Sequence, residues 1–378
     1  MNIKKFLSFV KFSLLVAVVA TTAFLAGCND DDDGPQIYNG TIMDLIEDAR
    51  FQQSTTVGAD VALDSLAKYL NKYPSLVTLL DGTTEYTLFA PSNQAFINLL
   101  ATPGFPERIE QINPAIIQGV LAYHIVNGRQ LTSALTSGAS FTTNYPNATT
   151  DDKIIVNSNG TLKTGSTNQD IDIVSADHQA QNGVVHVVES VMIPQSVGAS
   201  LTPILGTMAG TVMLGADFSY LAQLVTKADA NFTENPGNQQ FKIITMLANP
   251  NANATFFAPP NAVIAAAAGG ESNVQAFLNG INEAAARAIL LNHYVPGRYV
   301  VTATTGATTF SSIHGETITA ASGKNLTVNV GTPSTNNPHG VAIVHTPTGG
   351  NPTPAPIVVK DLSHNNGFIQ AIAGIIMP

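Results

Sequence analysis

The chain has 378 residues, 44% of them hydrophobic and only 11% charged, with a formal net charge of −10. That length suits two domains, and the hydrophobic content excludes a globally disordered chain. The acidic balance, with no basic patch, excludes a partner bound through a phosphate backbone, so no nucleic acid is expected.

Residues 1–27 read as a signal peptide. Lys4, Lys5 and Lys11 precede an uncharged, mostly apolar run from Phe12 to Ala26. The run is short against the roughly 20 residues of a membrane span, and it lies at the start of the chain. Leu25-Ala26-Gly27-Cys28 resembles a bacterial lipobox. The resemblance implies that Cys28 is lipidated and becomes the first residue of the mature protein, held in the membrane by its acyl chains. Cys28 is the only cysteine, so no disulfide forms within one chain. Residues 28–36 then form an acidic tether, with Asp30 to Asp33 ending in Gly34-Pro35. This stretch is similar to the acidic run behind the lipidated cysteine of surface lipoproteins in Bacteroidetes-type bacteria. It implies a cell-envelope protein, lipid-anchored in the outer membrane and exposed at the surface.

Thr41 to Ala49 reads as an opening helix. TLFAPSNQAF, from Thr87 to Phe96, reads as a strand stopped by Pro91, with Ser92 or Asn93 capping the helix that follows. Asn113 caps a second helix with Pro114 in its first position. Ile116, Ile117, Val120, Leu121 and His124 recur on one face of that helix, and Gly128 sits where it would end. Beyond Phe141 and Asp177, Asn182-Gly183 reads as a hairpin turn into a buried strand from Val184 to Val191, closing at Pro194.

The same landmarks then return in the same order. Phe218 to Ala228 reads as the second opening helix. TFFAPPNAVI, from Thr255 to Ile264, shares Thr, Phe, Ala-Pro and Asn with the first stretch, and Pro260 replaces Ser92, leaving only Asn261 as a cap. Leu290 to Arg298 matches Leu121 to Arg129, Phe310 matches Phe141, Asp361 matches Asp177, and Asn366 to Pro378 matches Asn182 to Pro194. A longer spacing in the second copy points to an insertion within Gly331 to Pro356. Recurrence in ordered blocks identifies two copies of one unit, at residues 37–198 and 199–378.

These blocks resemble the fasciclin (FAS1) domain family. TLFAPSNQAF matches its first box, Tyr123-His124 its Tyr-His motif, and Asn182 to Pro194 its second box. The resemblance implies an α+β fold of two tandem domains, each a β-sandwich or barrel-like wedge with packed helices. It also implies a candidate binding region at Tyr123, His124 and His293, since the Tyr-His region is implicated in adhesion in animal members. The second copy departs from the pattern: Asn292 replaces Tyr123, Gln370 stands for His186, and Ile264 for Phe96.

Catalytic chemistry is not found in the residues. There is no His-Glu-x-x-His, no Gly-x-Ser-x-Gly, no P-loop and no pair of carboxylates set as acid and base. No catalytic, metal or cofactor residue is therefore expected. His124 and His293 lie on apolar helix faces, where a core imidazole bonded to backbone competes with a ligand contact; His186, inside a buried strand pattern, reads as structural. The expected function is that of a non-enzymatic, membrane-anchored adhesion or binding lipoprotein with an extracellular protein or polysaccharide ligand. The competing expectation is a glycan- or substrate-capture lipoprotein, or an enzyme, beside an outer-membrane transporter. The absence of Trp and the 7% aromatic content weigh against a glycan platform.

Overall fold

The computed structural model describes residues 37–48, 51, 61–164, 170–230, 242–301, 311–312, 317–320, 325–330 and 333–377. The leader, the tether, Cys28 and Phe310 lie outside the described residues. Residues 37–378 form one compact unit. Among the described residues no helix is long and apolar enough to cross a membrane.

The first domain begins with α1 (Ile42–Glu47), α2 (Asp64–Leu70) and α3 (Pro74–Asp81). Strand β1 (Tyr86–Pro91) leads into α4 (Asn93–Leu100), and α5 (Pro114–Tyr123) into the short β2 (Ile125–Asn127). Five more strands follow: β3 (Ser140–Thr142), β4 (Lys153–Val156), β5 (Leu162–Thr164), β6 (Ile173–Ala180) and β7 (Gly183–Val188). The main sheet has the order β2-β1-β7-β6, with β1 and β7 parallel, and β3-β4-β5 form a second sheet. The α+β architecture is the one expected.

Strand β7 is buried on both faces because a core lies on each side of it. Leu88, Val185 and Val187 pack against the helices, and Phe89 and Val188 pack against the second sheet. A strand of Val residues suits this position, since each face removes apolar area from water.

A helix, α6 (Gln195–Leu201), runs on into the second domain. That domain repeats the plan with α7 (Met208–Leu214), α8 (Ser219–Ala228), α9 (Ile243–Ala248), β8 (Ala254–Ala258), α10 (Asn261–Ala267), α11 (Val274–Gly280) and α12 (Glu283–His293). Its strands are β9 (Tyr294–Pro296), β10 (Tyr299–Val300), β11 (Ser311–Ser312), β12 (Thr317–Thr319), β13 (Asn325–Val330), β14 (Val341–His345), β15 (Thr353–His364) and β16 (Gly367–Ile372). Here β10 and β11 form a separate parallel pair, and a single seven-stranded sheet, ordered β12-β13-β14-β15-β16-β8-β9, takes the place of the first domain's two sheets. The reason is length. Strand β15 has 12 residues against 8 in β6, and its extra start pairs with β14 from Ala342–Pro356 to His345–Thr353. In the first domain a single bridge, Leu162–Ile171, spans that gap. Part of the expected insertion, Val341–His345 and the first residues of β15, is thus strand.

Three local expectations are corrected. The opening helix of the second domain is α7, not Phe218 to Ala228. Asn366 Oδ1 accepts from Met208 N at 3.0 Å, as Asn182 Oδ1 accepts from Ile42 N at 2.7 Å, so α7 matches α1. Gly128 and Gly297 do not end helices; each follows a short strand, and α5 stops at Tyr123 with His124 as its C-cap. Asn261 does not cap its own helix. Its Oδ1 accepts from Tyr220 N at 3.0 Å, at the start of α8, and Asn93 does the same for Ser65 N in α2 at 2.8 Å. The strand–Pro–helix box therefore spends its Asn on a neighbouring helix, while Ser92 alone caps α4 through Ala95 N.

The hairpins β6–β7 and β15–β16 turn through Gln181-Asn182 and Asn365-Asn366. Gly183 has φ 152°, and a Cβ there would meet the Tyr86 carbonyl at 1.9 Å; Gly367 has φ 159° and would meet the Ala254 carbonyl at 2.1 Å. Glycine is required by both the dihedral and the close approach. The Asn182 amide also donates to the Leu80 and Gly82 carbonyls at 2.6 and 2.7 Å, so one side chain ties the start of α1, the end of α3 and the hairpin. Asn182→Ala strands three buried backbone groups and should cost about 2–4 kcal/mol. The shift in the urea midpoint of residues 37–378 measures it.

Candidate functional site

Tyr123 and His124 end α5, a helix with Asn113 as N-cap accepting from Ala115 N at 3.0 Å. Helix ends leave carbonyls without an intrahelical partner. His124 supplies one: its Nδ1 lies 2.7 Å from the Val120 carbonyl, one turn back. Its Nε2 accepts the Met192 N–H at 2.9 Å. A carbonyl only accepts and an N–H only donates, so the proton sits on Nδ1 and the ring is neutral. His293 repeats this, with Ile289 O at 2.8 Å and Ile376 N at 3.0 Å. Each imidazole pins its helix to the last segment of its domain.

Both rings are fully buried, and burial pushes each pKa down to about 4 against a modest upward pull from its carbonyl partner. His345 lowers His293 further. Tyr123 is also fully buried, among Phe89, Val126 and Ile154, and its hydroxyl donates to the Lys153 carbonyl at 3.1 Å. Asn292 is too short to reach across. Its amide donates instead to the Ile376 carbonyl at 3.2 Å, reinforcing the His293 pin. The structure thus brings Tyr123 and His124 together as struts of one domain, and places His293 in the corresponding position of the other. None of the three side chains faces solvent.

A second matched network lies on β7 and β16. Asp177 and Asp361 have φ 59° and 55°, unusual for a residue with a side chain. The N–H of Asp177 donates to His186 Nδ1 at 3.2 Å, and His186 Nε2–H donates to the Gln130 carbonyl at 2.8 Å. In the second domain the Asp361 N–H donates to Gln370 Oε1 at 2.7 Å, and Gln370 Nε2 to the Tyr299 carbonyl at 3.0 Å. The amide offers the same acceptor and donor as the ring. The two Asp side chains complete the clamp by accepting from Thr132 N and Val301 N at 2.9 and 2.8 Å.

Arg129, the last residue of the recurring block that starts at Leu121, carries a role its motif does not announce. It donates to the Gly183, Ala180 and Gln181 carbonyls at 2.7, 2.9 and 3.1 Å, locking the hairpin turn. Arg298 addresses the His364 and Asn365 carbonyls in the same way, at 3.3 and 3.4 Å. Its recurrence was the available signal. Among the described residues no group of three His, Cys, Asp or Glu is placed to hold a metal ion.

The neutral histidines make stability depend on pH. The unfolded imidazole, near 6.5, binds protons that the folded one refuses until about 4. The benefit is fully present above pH 6.5 and is lost as pH falls towards 4, by up to about 3 kcal/mol for each of His124 and His293. A urea midpoint that stays flat between pH 7 and 4.5 contradicts this. His186→Gln, copying Gln370, should change stability by less than about 1 kcal/mol, whereas His186→Ala should cost about 1–3 kcal/mol; paired denaturation curves compare them.

A model of the fasciclin domain matches residues 62–194 and again 217–378. Transforming growth factor-beta-induced protein ig-h3 of Sus scrofa is 31% identical over 124 residues, 33% of this chain and 17% of that protein. Immunogenic protein MPB70 of Mycobacterium bovis is 29% identical over 132 residues, 34% of this chain and 60% of that protein. The chain therefore spans under a fifth of the ig-h3 relatives' length and less than two thirds of MPB70. The solved FAS1 domain pair of the insect cell adhesion molecule fasciclin I is 16% identical, with 83% of this chain and 97% of that chain covered at a TM-score of 0.30. With both copies matched over most of their length, this chain belongs to the fasciclin domain family as a tandem pair.

Proposed function

We propose that this chain is a non-enzymatic binding protein of the adhesion type, displayed on the cell envelope. Cys28 carries the lipid anchor, residues 28–36 form the tether, and the two fasciclin domains present the binding surface to an extracellular protein or polysaccharide. The acidic run after Cys28 supports placement on the outer face of an outer membrane of the Bacteroidetes type.

One observation carries the non-catalytic part of the reading. His124, His186 and His293, the buried imidazoles of the family motifs, have both nitrogens taken up by backbone groups. A general base needs a nitrogen within reach of a substrate proton, and these have none to offer. Tyr123, His124 and His293 then act on binding indirectly, by holding the segments at Lys153, Met192 and Ile376 whose neighbours reach the surface.

Cys28→Ala should abolish incorporation of a labelled fatty acid and release the protein from the envelope. Intact cells bearing the parent protein should be cleaved by added protease and should capture ligand from matrix proteins or polysaccharides. Lipid labelling that survives Cys28→Ala, or turnover of a captured polymer with saturable kinetics, overturns the reading.

A further inference from the structure

The two domains touch backbone to backbone at a pair of glycines. Gly206 N–H donates to the Gly104 carbonyl at 3.3 Å, and both residues are left-handed, with φ 74° and 79°. A Cβ on Gly104 would stand 2.4 Å from Gly206 N. Beyond this contact the walls part and leave a cleft of about 870 Å³. That lies within the roughly 300–1,000 Å³ of ligand sites, which favour domain boundaries. One wall is the first domain's loop 103–107. The other is α7 with the turn to Phe218, together with the end of β15.

The chemistry of the walls restricts what fits. Phe105, Leu214, Leu362 and Val359 make an apolar floor, and Val359 is 45% exposed, one of few large apolar side chains so open among the described residues. Glu107 and Asp217 supply one carboxylate from each domain. Both are exposed, and among the described residues no ion pair or side-chain hydrogen bond engages either carboxylate. His364 lines the cleft as a neutral ring, its Nε2 3.3 Å from Thr211 Oγ1. No Lys or Arg lines it. Arg298 stands behind this wall with its guanidinium turned to the His364 and Asn365 carbonyls, so the charges that line the cleft itself are the two carboxylates, which disfavour anionic ligands such as phosphates and sulfated glycans. A ligand that is apolar along its length and cationic at a point satisfies both walls.

We propose that this cleft binds an extended peptide segment of a partner protein in which Lys or Arg flanks an apolar side chain. The cation lies between Glu107 and Asp217, and the apolar side chain rests on Val359 and Leu362. The charges come from different domains, so the site exists only where the domains approach, which Gly104 and Gly206 allow at this point. This proposal rests on the binding-protein reading and names the chemistry of its partner.

The test uses residues 37–378 and a set of short fluorescent peptides that combine Lys or Arg with Leu, Ile or Val. Matched sets carry Gln or Glu in place of the basic residue. The basic set should bind, more weakly at high salt, and the Gln set about fivefold more weakly or worse. Glu107→Gln and Asp217→Asn should each weaken the basic set about two- to fivefold, and Val359→Ser should weaken both sets. These three side chains are exposed, so unchanged melting curves will confirm that the variants fold. Equal binding of the Gln set, variants that bind like the parent, or no binding by the basic set each overturns the proposal. Intact cells separate it from the reading beneath it. Cleft variants that retain the parent's ligand capture sink the cleft and leave surface binding standing. A parent that captures nothing on cells, while its purified form binds the basic set, does the reverse.

Discussion

The architecture depends on buried side-chain amides and imidazoles that bond to backbone rather than to one another. Asn182 and Asn366 each satisfy a helix N-terminus and two carbonyls. Asn93 and Asn261 each receive an N–H from the first turn of another helix. His124 and His293 join a helix end to the last segment of their domain. A chain with so little charge has few salt bridges with which to fix the angles between short helices and strands. Its substitute is neutral and geometric, and it works because a buried backbone group left without a partner costs more than the bond itself returns.

The two domains show which parts of this scheme tolerate change. His186 and Gln370 differ in charge behaviour yet make the same two bonds to the same two places. Tyr123 and Asn292 differ in reach, and the bond is re-aimed from the β4 backbone to the last segment of the domain. His124, Asn182 and Asn93 recur unchanged, as His293, Asn366 and Asn261. Asn182 and Asn366, which hold three backbone groups each, are retained, whereas His186, whose one acceptor and one donor an amide reproduces, becomes Gln370. What drifts in the motif is therefore a matter of packing as much as of recognition.

Much of this was legible in the sequence, because ordered recurrence of blocks is insensitive to errors in any one element. The Asn113-Pro114 start of α5 follows from local chemistry and is found as expected, and the two hairpins are present, but they turn one residue earlier than the Asn-Gly pairs, with Gly183 and Gly367 already the first strand residues. What was not legible depends on partners distant in sequence. Asn261 looks like a cap for the helix it precedes, and only the fold brings Tyr220 within reach. Gly128 looks like a helix terminator, but His124 ends the helix earlier because the Met192 N–H is waiting for its ring. The burial of Tyr123 likewise depends on the second sheet closing over it.

The joint between the domains has a consequence for how such units are inherited. The N–H of Asn113, the N-cap of α5, donates to the Leu214 carbonyl at 2.6 Å, and Ile112 bridges to Gly215. Leu201 and Leu214 also roof an apolar hollow of about 40 Å³ lined by Phe96, Ile112 and Val191. A gene-shuffling breakpoint placed after residue 198 would sever α6 and leave that hollow without its roof. The first domain's interior is completed by the second, so a recombinant that carried the first domain alone would open that hollow to water, although the sequence reads as a simple duplication.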